Sequence, residues 1–477
     1  MAFDAVIIGA GPSGLAAAAR LAHFGTGVCL LEAHTRLGGL SSWHHVRGRE
    51  ISSGLHAFTN YSPDGRGGPL GRLLRQLRIK YSDLQLLPQN QSSIRFPSAT
   101  LRFNNDPDFF RQQVATAFPK AIDGFDRFRR LVNETDEGEL TLKQTSARKV
   151  MSEYIADPLL TEMLFCPVMF YGNPGGVGDG HDSERSRPDM DWLLFCVVWK
   201  CIFESGFAHP AHGMRPLWEN LAKRIADDGG VVRTGARVAR LRVENGRVVA
   251  AVLDTGEEIA GKTFFSSAGG IETDALTGHE SEPPRPVGTM TIAEGISILE
   301  RPPVESGIAD TVVFYSFTDE FNFRCSAGLV EDSNGVVCAP GNYQSLDADE
   351  GNIVKATQLA NYAAWSTLSP EAYAIAKQET GAGMASALGK LGISLAKAKS
   401  SEAKYAVFDD LFTPMTLKRY ASHAGAALYG SPVKSRTGQT SCANLFLIGT
   451  DQGFHGIVGA MLSGVAMVNM HLLAKQN

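Results

Sequence analysis

The stretch "VIIGAGPSGLAAAARLAHFGTGVCLLE", residues 6–32, constrains the chain more than any other part of its sequence. Val6, Ile7 and Ile8 predict a buried parallel strand. Gly9, Gly11 and Gly14 supply a G-x-G-x-x-G turn in which the backbone can approach a pyrophosphate closely. A helix is predicted over 13–24, and its unpaired N-terminal amides and positive dipole end favour that anion. The next strand, over 28–31, ends on Glu32, 18 residues after Gly14. A carboxylate at that place accepts hydrogen bonds from ribose hydroxyls and repels a 2′-phosphate, which argues against NADP. Strand, turn, helix and acid in register predict a dinucleotide-binding βαβ unit.

The residues after Glu32 narrow the choice of dinucleotide. "AHTRLGGLSS", residues 33–42, brings Arg36, Gly38, Gly39, Ser41 and Ser42. A second glycine pair so soon after the acid suits an extended cofactor whose second phosphate runs on past the first helix. The segment is similar to the glycine-pair motif of flavin amine oxidases and carotenoid desaturases, although those often carry a basic residue where Leu40 stands. At the far end "NLFLIGTDQGFHGIVGAMLSGVAMVNMHLL", residues 444–473, reads as a strand, a turn with Gly449 and Asp451, and a helix opened by Gly456 and Gly459. This resembles the C-terminal motif of the same families, whose acid and glycine-led helix hold FAD.

The resemblance implies FAD as cofactor and a Rossmann-like α/β FAD-binding domain interleaved with an α+β substrate domain. It implies cofactor binding at Gly9, Gly11, Pro12, Ser13, Gly14, Glu32, Ala33, Arg36, Gly38, Gly39, Leu40, Ser41, Val238, Ala268, Gly449, Asp451, Gly459 and Ala460. Asp451 would meet the pyrophosphate and ribityl chain, Gly459 and Ala460 the isoalloxazine, and the backbone near Val238 the adenine.

Chain organisation agrees with an interleaved plan. At 477 residues the chain exceeds one ordinary core. Segments 1–100, 206–290 and 411–477 are expected to form the FAD-binding domain, and 101–205 with 291–410 the substrate domain. "DPDFFRQQVATAFPKAIDGFDRFRRLVNE", residues 106–134, shows helical spacing after an Asp-Pro opening. "GNPGGVGDGHDSERSRPD", residues 172–189, is expected as an exposed loop. Asn245-Gly246 marks a hairpin. A net charge of -5 gives no basic patch for nucleic acid. The 7 cysteines contain no C-x-x-C pair, so no metal or dithiol centre is indicated. With Met1 running straight into the first strand, a cytoplasmic location is expected, with peripheral membrane contact as an alternative. The apolar segment 444–473 is interrupted by polar residues and reads as a buried helix, not a membrane span.

Within the flavin families, "YIADPLLTEMLFCPVMFYGNP" (154–174), "HPAHGMRPLWENLAKRIADDGGVVRTGARV" (209–238) and "TPMTLKRYASHAGAALYG" (413–430) resemble stretches of bacterial phytoene desaturases, carotenoid isomerases and retinol saturases. "SSGLHAFTNYSP" (52–63) is closer to plant-type phytoene desaturases and squalene-pathway desaturases. The resemblance implies hydride transfer between flavin and a lipophilic, unsaturated, isoprenoid or carotenoid-like substrate, in a desaturase, saturase or isomerase. No residue identifies the catalytic base. His212, where desaturases usually have a glycine, and His56, in the Gly-Leu-His turn, are the candidates; each is equally readable as structural. The apolar stretches 159–171 and 191–203, with Phe195 and Trp199, suit either a lipophilic tunnel or plain core. Two alternatives stand beside this reading: a flavin amine oxidase with an aromatic cage, to which Tyr420 and Tyr429 could contribute, and a non-catalytic binding protein similar to the dissociation inhibitors of prenylated GTPases.

Overall fold

A computed structural model describes residues 2–136, 145–173, 175, 189–279, 281–323, 328–344, 351–395 and 404–475. Of the loop expected at 172–189, only residues 172, 173, 175 and 189 fall within this set. Two seven-stranded sheets organise the described residues.

In the first sheet Phe3–Ile8 lies between Val28–Leu31 and Glu258–Ser266, parallel to both, and Val231–Arg233 extends the far side of Val28–Leu31. Ala5, Val6 and Ile7 are fully buried. A central parallel strand covered on both faces selects such a continuous apolar run. Glu258–Ser266 is the pivot of the sheet. Its first residues pair antiparallel with Arg247–Leu253, while Phe264, Phe265 and Ser266 pair parallel with Leu445–Leu447. The hairpin between Val238–Glu244 and Arg247–Leu253 turns at Asn245 (φ 51°) and Gly246 (φ 71°). Positive φ at both positions is what a two-residue type I′ loop demands.

Helix Pro12–His23 follows the first strand and packs against the C-terminal helix Gly456–His471. The contact is close: a Cβ on Gly464 would stand 2.1 Å from the Ser13 carbonyl oxygen. The chain's end is thereby folded back onto its beginning.

The second sheet runs in the order Asp410–Phe412, Ile292–Ile298, Ile353–Leu359, Asn334–Cys338, Val312–Ser316, Ser92–Arg95, Thr100–Phe103. All its pairs are antiparallel except that of Val312–Ser316 with Ser92–Arg95. One row stands in register across all seven strands: Phe412, Glu294, Thr357, Val336, Phe314, Ile94 and Leu101. Paired residues project to the same face, so Glu294 and Thr357 interrupt an otherwise apolar row. Two boundaries expected from sequence shift accordingly. Ser92–Arg95 falls inside 1–100 yet pairs in the second sheet, because its buried Ile94 continues this row, and Asp410–Phe412 straddles position 411.

Helices pack on the second sheet's apolar side. Asp106 and Asp157 each cap a helix that opens with proline, accepting from the amides of Asp108 and Leu160 at 3.0 Å. An Asx cap followed by proline is a strong start signal. Phe110 stacks on Phe203 at 4.4 Å, and Phe128 meets Phe195 and Trp199 edge-on. Phe195 and Trp199 have no exposed surface. Among the described residues no helix is long and apolar enough to cross a membrane.

Candidate functional site

A cavity of about 1320 Å³ is lined by residues of both sheets. Small-molecule sites usually occupy roughly 300–1,000 Å³, so this one has room for a cofactor and a substrate together.

At one end it is made largely of backbone. Gly9, Gly11, Pro12, Ser13, Gly39, Leu40, Ser41, Ala268 and Gly449 line it. Gly38 and Gly39 both have positive φ (99° and 55°), and a Cβ on Gly39 would meet the Gly11 Cα at 3.3 Å. The two glycine turns thus close on each other into a cradle that side chains would fill. Gly14 lies beneath it: a Cβ there would stand 1.9 Å from the Gly9 carbonyl oxygen, so this glycine permits helix and strand to meet.

Glu32 is 6% exposed and lines the cradle. Its Oε2 accepts from the Ala10 amide at 2.7 Å and its Oε1 from the His34 amide at 2.9 Å. Each carboxylate oxygen keeps a further acceptor position, which suits a pair of ribose hydroxyls. Ala33, Arg36, Val238 and Ala460 also line the cavity, and Arg36 donates to the Trp43 carbonyl at 2.9 Å. The donor and acceptor set therefore fits an ADP-containing dinucleotide.

Four expected residues lie outside the lining: Gly14, Gly38, Gly459 and Asp451. Gly38 packs against Trp218, whose indole N–H donates to the Ser41 carbonyl at 2.7 Å. Asp451 is the instructive departure. It sits in the turn Thr450–Gln452, 2% exposed, with Oδ2 accepting from the Gly270 amide and Oδ1 from the Ser431 amide. Lys434 stands 3.6 Å from it. Burial brings the Lys434 ammonium down to about 8, with Asp451 opposing the shift. Each oxygen of Asp451 thus holds one backbone amide, and Lys434 adds a partner of opposite charge.

The other end is made of side chains. Phe170 and Tyr171 come from helix Pro158–Gly172, and Val197 and Val198 from helix Trp192–Trp199. The π turn Lys200–Glu204 carries that helix on and adds Cys201 and Ile202 to the wall. Such turns are often found at functional sites. Both apolar stretches named from sequence therefore reach the cavity, but Phe195 and Trp199 face away into the aromatic core.

The two candidate histidines separate. His212 is exposed and outside the lining, in the turn between strand Phe207–Pro210 and helix Arg215–Asp227. His56 lines the cavity, with Nε2 2.7 Å from Glu294 Oε2. Burial works against ionisation of Glu294, yet His56, Lys355 and Thr357 outweigh it and hold the carboxyl at about 2. Glu294 gives little sign of itself in sequence: it is one acid inside the apolar strand "TIAEGISI". Tyr429 stacks on His455 at 4.8 Å, and both line the cavity. Burial, with Lys434 nearby, keeps the His455 imidazolium well below its usual range.

A glycine cradle with a buried acid, opening into a second compartment, fits a dinucleotide beside a second ligand. The chain belongs to the flavin containing amine oxidoreductase family, whose pattern it matches over residues 12–268. It is 24% identical over 297 residues to a chloroplastic prolycopene isomerase of Daucus carota, covering 56% of this chain and 46% of that protein. It is 25% identical over 302 residues to a lycopene-forming phytoene desaturase of Pseudescherichia vulneris, covering 60% and 59%. The chain spans about half the length of the curated relatives it matches. Its fold is that of an oxidoreductase from Methanosarcina mazei, with TM-score 0.64, 14% identity and coverage of 98% and 99%. Membership of this family makes FAD the cofactor that the glycine cradle fits.

Proposed function

We propose that this enzyme transfers hydride between FAD and a lipophilic, unsaturated, isoprenoid-like substrate, as a desaturase, saturase or isomerase. The observation that carries the reading is the apolar wall of Phe170, Val197, Val198, Ile202, Met290 and Val336 at the end of the cavity away from the glycine cradle. The kinship with prolycopene isomerase and phytoene desaturase agrees with it.

In this proposal segments 1–90, 206–290 and 413–477 hold the cofactor and the remainder holds the substrate. The glycine turns at 9–14 and 38–39 receive the pyrophosphate, and Glu32 the adenosine ribose. Bound FAD supplies a hydride acceptor or donor at its flavin ring. The chain's part is to bury the reacting carbon chain and exclude water. Burial of an isoprenoid against this wall stabilises the complex by about 25 cal/mol per Å² of apolar surface removed from water.

Val197→Asp tests the reading. Val197 is half-buried at the wall and stands outside the buried cluster that holds Phe195, Val198 and Trp199, so a carboxylate there meets the substrate path without entering the aromatic core. The variant should keep its FAD and lose at least tenfold in affinity for an isoprenoid ligand, because an unpaired buried charge is costly. Unchanged isoprenoid binding would remove the lipophilic wall from the proposal.

A further inference from the structure

One polar cluster interrupts the apolar compartment where it meets the second sheet. Glu294 is 2% exposed, and its Oε2 takes both the Nε2 hydrogen of His56 at 2.7 Å and the hydroxyl of Thr357 at 2.9 Å. Beside it the buried Lys355 donates to the carbonyls of Ser52 and Leu55 at 2.7 and 3.0 Å. The Glu294 carboxylate and the Lys355 ammonium offset each other. The backbone of His56 is fixed as well: its carbonyl accepts from Tyr343 Oη at 2.8 Å and Cys338 Sγ at 3.4 Å.

This leaves two unmatched groups. With Nε2–H given to Glu294, His56 Nδ1 has no partner among the described residues; it accepts in the neutral ring and donates in the imidazolium. The Tyr171 ring lies 6.4 Å from that of His56, and its hydroxyl is buried with no hydrogen-bond partner. Both residues line the cavity. A hydroxyl satisfies both in either state, because it can donate to or accept from Nδ1 and do the converse with Tyr171 Oη. A hydrocarbon satisfies neither.

We propose that His56 and Tyr171 form the seat of a hydroxyl group on the substrate, and that the substrate is an isoprenoid alcohol and not an unfunctionalised hydrocarbon. This rests on the proposed lipophilic substrate and specifies it. Glu294 and Thr357 are positioning residues that fix the His56 ring.

The test is a titration of the FAD-loaded enzyme with a matched pair of probes, farnesol and β-farnesene, followed by the change in flavin absorbance. Farnesol should bind roughly tenfold or more tightly than farnesene, the worth of a hydrogen bond to otherwise unpaired buried groups. Tyr171→Phe should abolish most of that preference, leave farnesene binding within about twofold, and leave thermal stability unreduced, since the hydroxyl has no partner to lose. His56→Phe alone would strand Glu294, so the second variant is His56→Phe with Glu294→Gln, and it should also lose the preference. Equal binding of the two probes overturns the hydroxyl seat while leaving the lipophile reading in place. So does a preference that survives both variants. If neither probe perturbs the flavin and putrescine does, the lipophile reading itself falls, and this inference with it.

Discussion

The two ends of the cavity are built from different material. At the cofactor end the lining is mostly backbone, placed by glycines whose missing side chains leave room, and one acid adds specificity. At the substrate end the lining is side chains, from helices that reach the wall with one face and the core with the other. The consequence is a difference in tolerance. The first end is sensitive to any added atom, whereas the second depends on which face of a helix a residue occupies.

The largest test of that difference sets Phe195→Asp against Val197→Asp, two positions apart and on opposite sides of one helix. Phe195 is enclosed by Phe128, Phe165, Trp192 and Trp199. An aspartate there has no water and no partner, so the protein should fail to accumulate in folded form, as seen by circular dichroism. Val197→Asp, at a half-buried lining position, should fold. If the two behave alike, wall and core have been assigned to the wrong faces.

The next test compares the two acids. Asp451→Ala removes a buried partner of Lys434 and of two backbone amides, and should lower unfolding free energy by about 3–5 kcal/mol. The folded fraction should retain its FAD affinity, measured by equilibrium dialysis. A specific loss of FAD without loss of stability would return Asp451 to the cofactor.

Glu294 offers a pH test at the substrate end. Its folded value of about 2 lies below the ordinary 4.5. A depressed carboxyl contributes stability that is fully present above pH 4.5 and is lost as pH falls towards 2. The contribution is on the order of 3 kcal/mol. Urea unfolding between these limits should show the decline, and Glu294→Gln should flatten it. A wild-type decline that Glu294→Gln leaves intact would assign it to another group.

Glu32→Ala should have a smaller effect, on the cofactor alone. Charge-assisted hydrogen bonds contribute about 1.5–3 kcal/mol each, so FAD retention should weaken by roughly one to two orders of magnitude. Full flavin content after extensive dialysis would contradict the ribose assignment.

The cofactor end was legible in the sequence because its signals are local. The run from Val6 to Glu32 encodes strand, turn, helix and acid within one stretch of chain, and Asp106-Pro107, Asp157-Pro158 and Asn245-Gly246 announce two helices and a hairpin in two residues each. For Asp451 the motif gives a neighbourhood, whereas the direction of its carboxylate, towards the amides of Gly270 and Ser431, is set by the short turn Thr450–Gln452. For His212 the turn's composition does not say which side of it faces solvent. The His56–Glu294 pair was not legible, since its members are 238 positions apart and meet only through the register of the second sheet. Periodicity likewise marked 191–203 as apolar without dividing it into a wall bearing Val197 and a core bearing Phe195.

The most direct measurement is an anaerobic spectrophotometric assay of the FAD-loaded enzyme in both redox states. The oxidised flavin is mixed with isoprenoid alcohols and polyenes, the photoreduced flavin with the same compounds, and the products are weighed by mass spectrometry. A substrate of this class should bleach the oxidised flavin with loss of two hydrogens, restore colour to the reduced one with gain of two, or be isomerised at constant mass. The contradicting result is equally definite: no isoprenoid changes in any of these ways, while a small amine such as putrescine bleaches the oxidised flavin, with Tyr429 and His455 then flanking an amine and not a polyene.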